Sequence, residues 1–411
     1  MQEILQRKAG RIEVIDVLRS FTLLGIALVH FPEQYYAGMM PQSFRDVLDH
    51  SLADKIVSTF VGIFISGKFF MIFSFLFGFS FFLQLNKSDG SIKFVVRFMW
   101  RLVVLFMIGV VHQLHYRGDI LTIYAVLGFG LLLTYKLPDK ILLVLALLLV
   151  FNVPSLVTRA MEAIQPAKAT TESFFNQDPK TIETYYNTVK SGSYTSILEA
   201  NLYEMKGKLD FQVESGRIYI TMGLFMLGLY AGRKNMFEDA GFFKRLIRYA
   251  LWALLGSVLL FLTILGGIQL AGITVSQPVQ WLVGGGLMDV FNACLASIYV
   301  GLIFTLFQKD KWRARLMVFY SVGRMGLTTY LMQALAGFFI FFSMGFALVG
   351  ELGAFVSFFI GIGIFALQII FSNYWLKYFQ YGPAEWVWRS LTYFKLQPLR
   401  QPNMVDDLDK V

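Results

Sequence analysis

The stretch RIEVIDVLRSFTLLGIALVH, residues Arg11 to His30, has the length and apolarity of a first membrane span, yet Asp16 and Arg19 lie inside it. Ionisable groups in hydrocarbon cost several kcal/mol unless they are paired or hydrated, so each is a candidate functional residue. Arg19 and His30 are separated by close to three helical turns, which puts them on one helix face about 16 Å apart. Arg101 and His112 repeat this spacing in RLVVLFMIGVVH. Two helices are therefore predicted to carry a cation and a histidine on a shared face.

The composition indicates a polytopic membrane protein. Hydrophobic residues make up 56% of the 411 residues and charged residues only 15%. The net charge of +9 is interpreted as loop charge that sets orientation rather than as a nucleic-acid surface. The single cysteine, Cys294, excludes an internal disulfide and a metal site built from several cysteines. The basic N-terminus has no small-residue cleavage site after its apolar run, so this segment is expected to be retained as a span.

Ten apolar segments have the length needed to cross a bilayer, which predicts an all-α bundle of ten spans. These segments cover residues 12–31, 56–85, 94–114, 120–136, 139–157, 216–232, 247–272, 287–307, 323–345 and 352–374. Lys and Arg concentrate in the loops on the side of the N-terminus, whereas the opposite loops near 272–286 and 345–353 contain neither. This asymmetry predicts that both termini are cytoplasmic.

The segment 56–85 is too long for one simple crossing, since it would extend about 45 Å as a helix. Counting it as two crossings would invert every later loop and destroy the charge asymmetry. We therefore expect one crossing with a break or re-entrant turn near Gly67, and Lys68 at membrane depth.

Residues 1–400 are expected to form a single transmembrane domain, followed by a mobile cytoplasmic tail at 401–411. The one large polar segment, 158–215, is predicted on the outer side. Its second half has helical spacing with a modest apolar face. This insert is either a lid over an external site or a helix lying in the membrane interface, and the pattern favours the interfacial alternative.

The histidines at the predicted outer ends of spans are candidates for proton transfer, because an imidazole can take up a proton near neutral pH. His30 and His112 are the two at matched spacing, and Asp119 follows closely enough to orient an imidazole. Arg117, in the same connecting segment, is a candidate substrate-binding residue. The alternative is that these histidines are merely hydrated interfacial residues.

Cations at or below mid-depth form a second candidate group. Asp16 and Arg19 can pair across one turn, as a functional or a purely structural couple. Together with Lys68 and Arg101 they suit a phosphate-bearing ligand, since Arg binds phosphate oxygens through two parallel hydrogen bonds. Snorkelling toward lipid headgroups is the alternative for these cations. The sequence contains no phosphate-binding loop, dinucleotide glycine pattern or zinc-protease histidine pair.

Several stretches resemble the YeiB family of bacterial multi-pass membrane proteins, whose domain has no known function. They are IDVLRSFTLLGIALV at 15–29, SGKFFMIFSFLFGFSF at 66–81, RLVVLFMIGVVHQLHYRGDILTIYAVLG at 101–128, SVGRMGLTTYLMQ at 321–333 and YGPAEWVWRSLTY at 381–393. This family resembles a branch of the transmembrane acyltransferase superfamily, which includes heparan-alpha-glucosaminide N-acetyltransferase and bacterial O-acyltransferases that modify surface polysaccharides.

In those O-acyltransferases a basic residue precedes a functional histidine by eleven positions, as Arg19 precedes His30. Two positions depart from what YeiB-like proteins usually carry: His30 stands in place of Asn and Ser20 in place of Gly. These departures shift the expected catalytic role from His30 toward His112 and Asp119, which lie in a segment more typical of the family.

These observations predict an acyltransferase of the bacterial plasma membrane that uses cytoplasmic acyl-coenzyme A and no metal. Asp16, Arg19, Lys68, Arg101 and Arg117 would bind substrates, and the acceptor would be a small molecule or a glycan reached from outside. The rival class is a transporter or flippase for an anionic or lipid-like solute. The absence of an internal repeat between residues 1–157 and 216–374 disfavours the rival, and a non-catalytic membrane protein is the third alternative. The expected partners are membrane lipids and other copies of the chain, and nucleic acid is not among them.

Overall fold

The computed structural model describes residues 2–88, 91–164 and 174–401, and the side chains of residues 13 onward in the first helix. In these ranges the chain is helical, with one isolated antiparallel bridge between Phe379 and Arg400 and no longer strand. Helices satisfy backbone hydrogen bonds within each segment, as apolar surroundings require. The predicted all-α class is confirmed. The predicted tail at 401–411 lies outside the described residues apart from Gln401.

In the described part of the chain, seven helices precede the polar insert. They are α1 (Gln2–His30), α2 (Gln42–Leu48), α3 (Leu52–Phe60), α4 (Phe69–Asn86), α5 (Ile92–His115), α6 (Leu121–Thr134) and α7 (Asp139–Val150). A π-helical turn, Val61–Ile65, continues α3.

The insert and the chain that leads into it are also helical. They contain α8 (Val153–Ile164), a short 3-10 turn at Phe174–Asn176, α9 (Pro179–Ser191), α10 (Tyr194–Tyr203) and α11 (Met205–Glu214). Asp178 and Ser193 cap the first turns of α9 and α10 with their side chains, accepting hydrogen bonds from the backbone N–H groups of Lys180 and Ser196.

Eight further helices complete the bundle. They are α12 (Arg217–Arg233), α13 (Ala240–Ala271), α14 (Gln277–Phe307), α15 (Asp310–Leu316), α16 (Tyr320–Arg324), α17 (Gly326–Phe341), α18 (Ala354–Tyr378) and α19 (Pro383–Tyr393). A short 3-10 turn at Met236–Glu238 lies between α12 and α13, and another at Met317–Phe319 lies between α15 and α16.

Five helical segments of the described chain are long and apolar enough to cross a membrane. They are Leu52–Asn86, Ile92–His115, Ala240–Ala271, Val279–Phe307 and Ala354–Tyr378. The bent pair α7 and α8 is a sixth candidate if it is one span, with an angle of 44° between its halves. Others among the ten predicted spans are shorter, including α6 with 14 residues and α17 with 16. The membrane-protein class is supported by these five or six candidate spans, and the predicted number of ten is not confirmed.

The predicted break near Gly67 is present. After the π-helical turn the chain passes through Gly67, whose φ of 82° is readily adopted only by glycine. The Lys68 ammonium is buried and donates hydrogen bonds to the carbonyls of Gly62 (3.2 Å) and Ser66 (2.8 Å). Lys68 thereby satisfies carbonyls that the interrupted helix leaves without partners.

Close approach of helices through glycine holds the centre of the bundle together. A methyl group on Gly78 of α4 would lie 1.9 Å from the carbonyl oxygen of Phe225, and one on Gly228 of α12 would lie 2.1 Å from that of Phe75. The rings of Phe77 and Phe225 stack beside this contact at 4.4 Å. Small residues allow such contact between apolar helices, where dispersion replaces the hydrophobic effect as the source of attraction.

Candidate functional site

The last turn of α5 and the loop before α6 bring His112 and Asp119 together. The imidazole Nδ1 of His112 lies 2.8 Å from Oδ1 of Asp119, and both side chains are buried. The Asp119 carboxylate also accepts hydrogen bonds from the backbone N–H groups of Leu121 (3.1 Å) and Thr122 (2.9 Å). It is therefore held at the N-terminus of α6, where the helix dipole favours a negative charge.

The state of Asp119 determines which nitrogen of His112 is free. Burial alone would raise the pKa of Asp119, but hydrogen bonds from His112 and Thr122 and the charge of Lys208 outweigh burial and keep this pKa below its ordinary value. An ionised Asp119 only accepts hydrogen bonds, so Nδ1 of His112 carries the proton between them, and Nε2 is the ring nitrogen that does not contact the carboxylate. Among the described residues Nε2 is buried without a hydrogen-bond partner. This arrangement suits a general base.

Lys208 of α11 reaches the same carboxylate from the insert. Its ammonium lies 3.6 Å from Oδ2 of Asp119 and donates to Oε1 of Gln113 (2.7 Å) and Oγ1 of Thr122 (2.8 Å). Burial lowers the pKa of Lys208, and the nearby Asp119 carboxylate partly opposes this effect. Lys208 is therefore part of the buried polar network around Asp119.

The insert covers this network with a second contact. Gln113 donates to the backbone carbonyl of Asn201 in α10 (2.9 Å), and Asn201 donates to the carbonyl of Leu114 (2.9 Å). Of the two predicted arrangements of the insert, these contacts favour a lid over the site. The sequence pattern favours the interfacial alternative instead. It does not separate the two, because a helix with one apolar face has the same pattern on a lipid interface and on a protein surface.

A cavity of about 310 Å³, here called the histidine cavity, lies beside this network. The ionisable side chains in its wall include His30, Glu33, Arg117, Asp119, Glu204, Lys208 and Arg217. The hydroxyl of Tyr116 lies 2.9 Å from Nδ1 of His30, and Glu33 lies 3.8 Å from the same nitrogen. His30 and Asp119, both predicted as catalytic residues, thus border the same cavity.

Arg117 is held mainly by the protein itself. Its guanidinium lies 3.5 Å from the ring centre of Tyr185 and 4.5 Å from that of Tyr36, and it pairs with Glu204 at 3.3 Å. Its Nε donates to the carbonyl of Tyr36 (2.7 Å). Only Nη2 is buried without a partner among the described residues.

A second cavity of about 280 Å³, here called the cation cavity, contains two of the predicted phosphate-binding residues, Arg19 and Arg101. Arg19 forms an ion pair with Asp16 and donates to the Gly323 carbonyl and the Ser80 hydroxyl, both at 3.2 Å. The structure therefore places Asp16 beside Arg19, as its i, i+3 spacing predicts.

Arg101 is the less constrained of the two arginines. Its guanidinium lies 3.9 Å from the ring centre of Trp388, and the indole N–H of Trp388 donates to the Arg101 carbonyl (3.0 Å). Within the described part of the chain Arg101 has no ion pair. A stacked guanidinium without a carboxylate partner can accept an anionic ligand.

Lys68 does not join this group, which corrects its placement with Arg19 and Arg101. Its ammonium is turned to the carbonyls of Gly62 and Ser66 at the break, and it lies 5.2 Å from the ring centre of Phe291. Lys68 lines neither the cation cavity nor the histidine cavity. The ammonium stays at the break because a buried carbonyl without a hydrogen-bond donor is energetically costly.

The two cavities are separated by shared aromatic side chains. Phe73, Tyr124 and Tyr330 line both cavities. The ring centre of Tyr330 lies 4.9 Å from that of His112, and the hydroxyl of Tyr124 lies 2.6 Å from that of Ser74. His112 lines neither cavity itself, but it packs against Tyr330 in the wall that the two cavities share.

Further polar residues of the two cavities were not predicted as site residues: Lys208, Arg217, Arg324, Tyr330 and Glu385. Arg324 and Glu385 stand in two of the stretches that carry the YeiB resemblance, which is a signal that could have singled them out. Lys208 lies in a polar segment where charged residues are ordinary, so its burial was not foreseeable from its neighbours in sequence.

The fold and site define a class: an all-α protein with five or six candidate membrane spans and a buried His–Asp pair whose aspartate lines one of two cavities that contain charged side chains. The family described as "Protein of unknown function (DUF418)" matches residues 231–395. The chain is 30% identical to the uncharacterized protein YxaH of Bacillus subtilis (strain 168), over 96% of this chain and 97% of YxaH. This chain belongs to the YeiB-like DUF418 family.

Two other relatives agree with this assignment. An uncharacterized 39.9 kDa protein from the amylase 3' region of Bacillus acidopullulyticus is 26% identical, over 95% of this chain and 96% of that protein. The uncharacterized protein YeiB of Escherichia coli (strain K12) is 45% identical over 74 residues, 17% of this chain and 18% of YeiB. No solved structure matches the chain significantly.

Proposed function

We propose that this protein is a membrane acyltransferase that moves an acyl group from acyl-coenzyme A to an acceptor hydroxyl or amine in the histidine cavity. The observation that carries the proposal is the free, buried Nε2 of His112, held by ionised Asp119 next to the wall between the two cavities. A general base needs a fixed tautomer and an available lone pair, and this pair supplies both.

In the proposed reaction His112 takes the proton of the acceptor through Nε2. The acceptor oxygen or nitrogen then forms a bond to the thioester carbonyl carbon, and the carbon–sulfur bond breaks. His112 returns its proton to the leaving thiolate, so that coenzyme A and the acylated acceptor are the products. Asp119 keeps the imidazole oriented and stabilises its cationic form throughout.

The donor would bind from the cation cavity. Arg101, stacked on Trp388 and without an ion pair among the described residues, offers donors to phosphate oxygens, and Arg19 adds a second guanidinium. Asp16 would orient Arg19, while Arg117 would shape the acceptor side through its contact with Glu204.

The proposal includes a topology. With ten spans in the bacterial plasma membrane and both termini in the cytoplasm, Arg19 and Arg101 lie toward the cytoplasm, where acyl-coenzyme A is made, and His30 and His112 lie toward the outside. The charge asymmetry of the loops supports this orientation. An acceptor such as a glycan or small molecule would then enter from the outer side, beneath the insert.

The test is acyl transfer by purified protein from labelled acetyl-coenzyme A to a panel of hydroxyl and amine acceptors. His112→Ala is expected to lower the rate by about two to four orders of magnitude while donor binding persists. Arg101→Ala is expected to weaken donor binding about tenfold or more, because charged hydrogen bonds are lost. His115→Ala, at the end of the same helix and bonded to Tyr194, is the matched control and should keep its rate.

An active His112→Ala protein combined with an inactive His30→Asn protein would contradict the assignment of the base. Arg19 and His30 would then be the working pair, as in the O-acyltransferases that the sequence resembles. Absence of donor binding to the unmodified protein would reject the enzyme altogether.

A transporter is the second candidate, and the wall that the two cavities share favours it. Only a few aromatic side chains, among them Phe73, Tyr124 and Tyr330, line both cavities. Alternating access would need these side chains to move without any chemistry. Uptake of a labelled anion into proteoliposomes that is unaffected by His112→Ala and needs no acyl donor would support the transporter over the enzyme.

A further inference from the structure

Arg217, at the start of α12, is an arginine without a counter-ion in the histidine cavity. Its guanidinium lies 4.8 Å from the ring centre of Phe70 and 5.0 Å from that of Phe211. Within the described residues it forms no side-chain hydrogen bond and no ion pair. The two rings fix its plane but leave all of its N–H donors unused.

The acids near Arg217 are committed to other partners. Glu33 lies 3.8 Å from His30, and Asp289 accepts a hydrogen bond from Asn152 at 2.9 Å. Both carboxylates attract the charge of Arg217 electrostatically, but neither forms an ion pair with it. A half-buried guanidinium without an anion beside it is poorly compensated unless a ligand supplies the negative charge.

Arg117 adds an independent observation in the same cavity. Its Nη2 is buried, with the side chain 5% exposed, and has no hydrogen-bond partner among the described residues. By contrast, Lys208 uses its donors on Gln113, Thr122 and Asp119. The unused donors of the histidine cavity therefore belong to Arg217 and to Nη2 of Arg117.

We infer that the histidine cavity contains a phosphate-binding subsite in which Arg217 is the main ligand and Nη2 of Arg117 is a further donor. This inference rests on the proposed function and names its acceptor class: a phosphate-bearing hydroxyl or amine compound. Phosphate is favoured over carboxylate because its terminal oxygens accept more hydrogen bonds, and a guanidinium binds two of them in parallel. The phosphate can come from a lipid headgroup or from a soluble phosphorylated molecule.

The test measures stabilisation of the purified protein by inorganic phosphate, since a ligand that binds the native state raises the unfolding midpoint. All proteins carry Arg101→Gln, which removes a phosphate-binding group from the cation cavity. Arg217→Gln is expected to weaken phosphate binding about tenfold or more. Arg248→Gln is the matched control, since Arg248 also stacks on an aromatic ring, that of Tyr249 at 5.3 Å, but lies outside the cavity.

A second arm identifies the source of the phosphate. In vesicles, an Arg217-dependent stabilisation by phosphatidylglycerol over phosphatidylcholine would indicate a lipid headgroup. Arg217-dependent stabilisation by inorganic phosphate without any such lipid effect would indicate a soluble acceptor. Equal phosphate affinity in Arg217→Gln and Arg248→Gln would overturn the subsite.

Chemical labelling keeps the inference testable if Arg217→Gln does not fold. Phenylglyoxal modifies accessible arginines, and phosphate should slow its reaction at Arg217 but not at Arg248, as read by peptide mass spectrometry. Equal labelling of Arg217 with and without phosphate would count against the subsite. His112→Ala should bind phosphate normally. Absence of acyl transfer by the unmodified protein, with Arg217-dependent phosphate binding retained, would reject the reaction and leave the subsite standing.

Discussion

At the residue scale, the buried carboxylate of Asp119 connects three parts of the chain. It accepts hydrogen bonds from His112 of α5 and from the first turn of α6, and it forms an ion pair with Lys208 of the insert. A buried charge is tolerated only when its hydrogen bonds are complete, and here the donors come from each side of the site. The same contacts that fix the tautomer of His112 therefore also stabilise the fold.

Asp119→Asn is expected to lower the stability of the protein in a pH-dependent way. At neutral pH the loss should be about 1.5–3 kcal/mol for each charged hydrogen bond that is removed. Because the pKa of Asp119 is lower in the folded state, its contribution is complete above the ordinary aspartate pKa of about 4 and disappears as the pH falls through the folded value. The gap in unfolding midpoint between the two proteins should therefore narrow below about pH 4.

Thermal unfolding in detergent across this pH range measures that gap. Asp46→Asn, which changes an exposed carboxylate of α2, is the control and should leave the midpoint at neutral pH unchanged. A gap for Asp119→Asn that stays constant down to low pH would mean that the carboxylate is not ionised in the folded protein.

At the scale of helices, α4 and α12 form the contact on which the cavity walls depend. Phe73 and Tyr124 line both cavities, and Tyr124 packs on Phe225 of α12, with ring centres 5.1 Å apart. The positions of these rings depend on how closely α4 approaches α12. That distance is set where Gly78 and Gly228 meet the opposite backbone.

Gly228→Ala is expected to destabilise the protein by about 1–3 kcal/mol, as overpacking of a filled contact does. The added methyl group would lie 2.1 Å from the carbonyl oxygen of Phe75, so α4 and α12 must separate. Gly256→Ala in α13 is the matched control, because its methyl group meets no atom within 4 Å. In a helix that control should be neutral or slightly stabilising.

The unfolding midpoints of both variants in detergent provide the measurement. Equal midpoints for Gly228→Ala and Gly256→Ala would show that the α4–α12 contact can expand without cost.

At the scale of the whole molecule, the outer helices are apolar where they face away from the bundle. Most side chains along α13 are exposed, among them Trp252, Leu259 and Phe261. Such a surface would drive aggregation in water but is stable against lipid tails. This agrees with the membrane-protein class that the composition indicated.

The orientation of the molecule is tested by reporter fusions. The loop charges predict that a reporter fused after residue 185 is external and that one fused after residue 240 is cytoplasmic. Alkaline phosphatase activity, which needs the outer side, and fluorescence of a cytoplasmic reporter give opposite readings for each fusion. A reversed reading at either position would overturn the ten-span topology and the assignment of the two cavities to opposite sides.

The sequence by itself determined features that depend on neighbouring residues or on total apolar content. Hydrophobic runs indicated the all-α membrane class, and Ser66-Gly67-Lys68 indicated the break in the second apolar segment. Asp16 and Arg19 pair because helical geometry puts i and i+3 side by side, and His112 meets Asp119 across one short connection.

Only the tertiary structure decided which distant groups share a cavity. Lys68 has the charge of a phosphate ligand, but the carbonyls at its own helix break take its hydrogen bonds. No pattern in the sequence distinguishes Lys208 or Arg217 from other polar residues. Both line the histidine cavity because the chain folds back over α5 and α6. The energy of a buried charge depends on the atoms that packing places around it, and those atoms come from segments that are far apart in the chain.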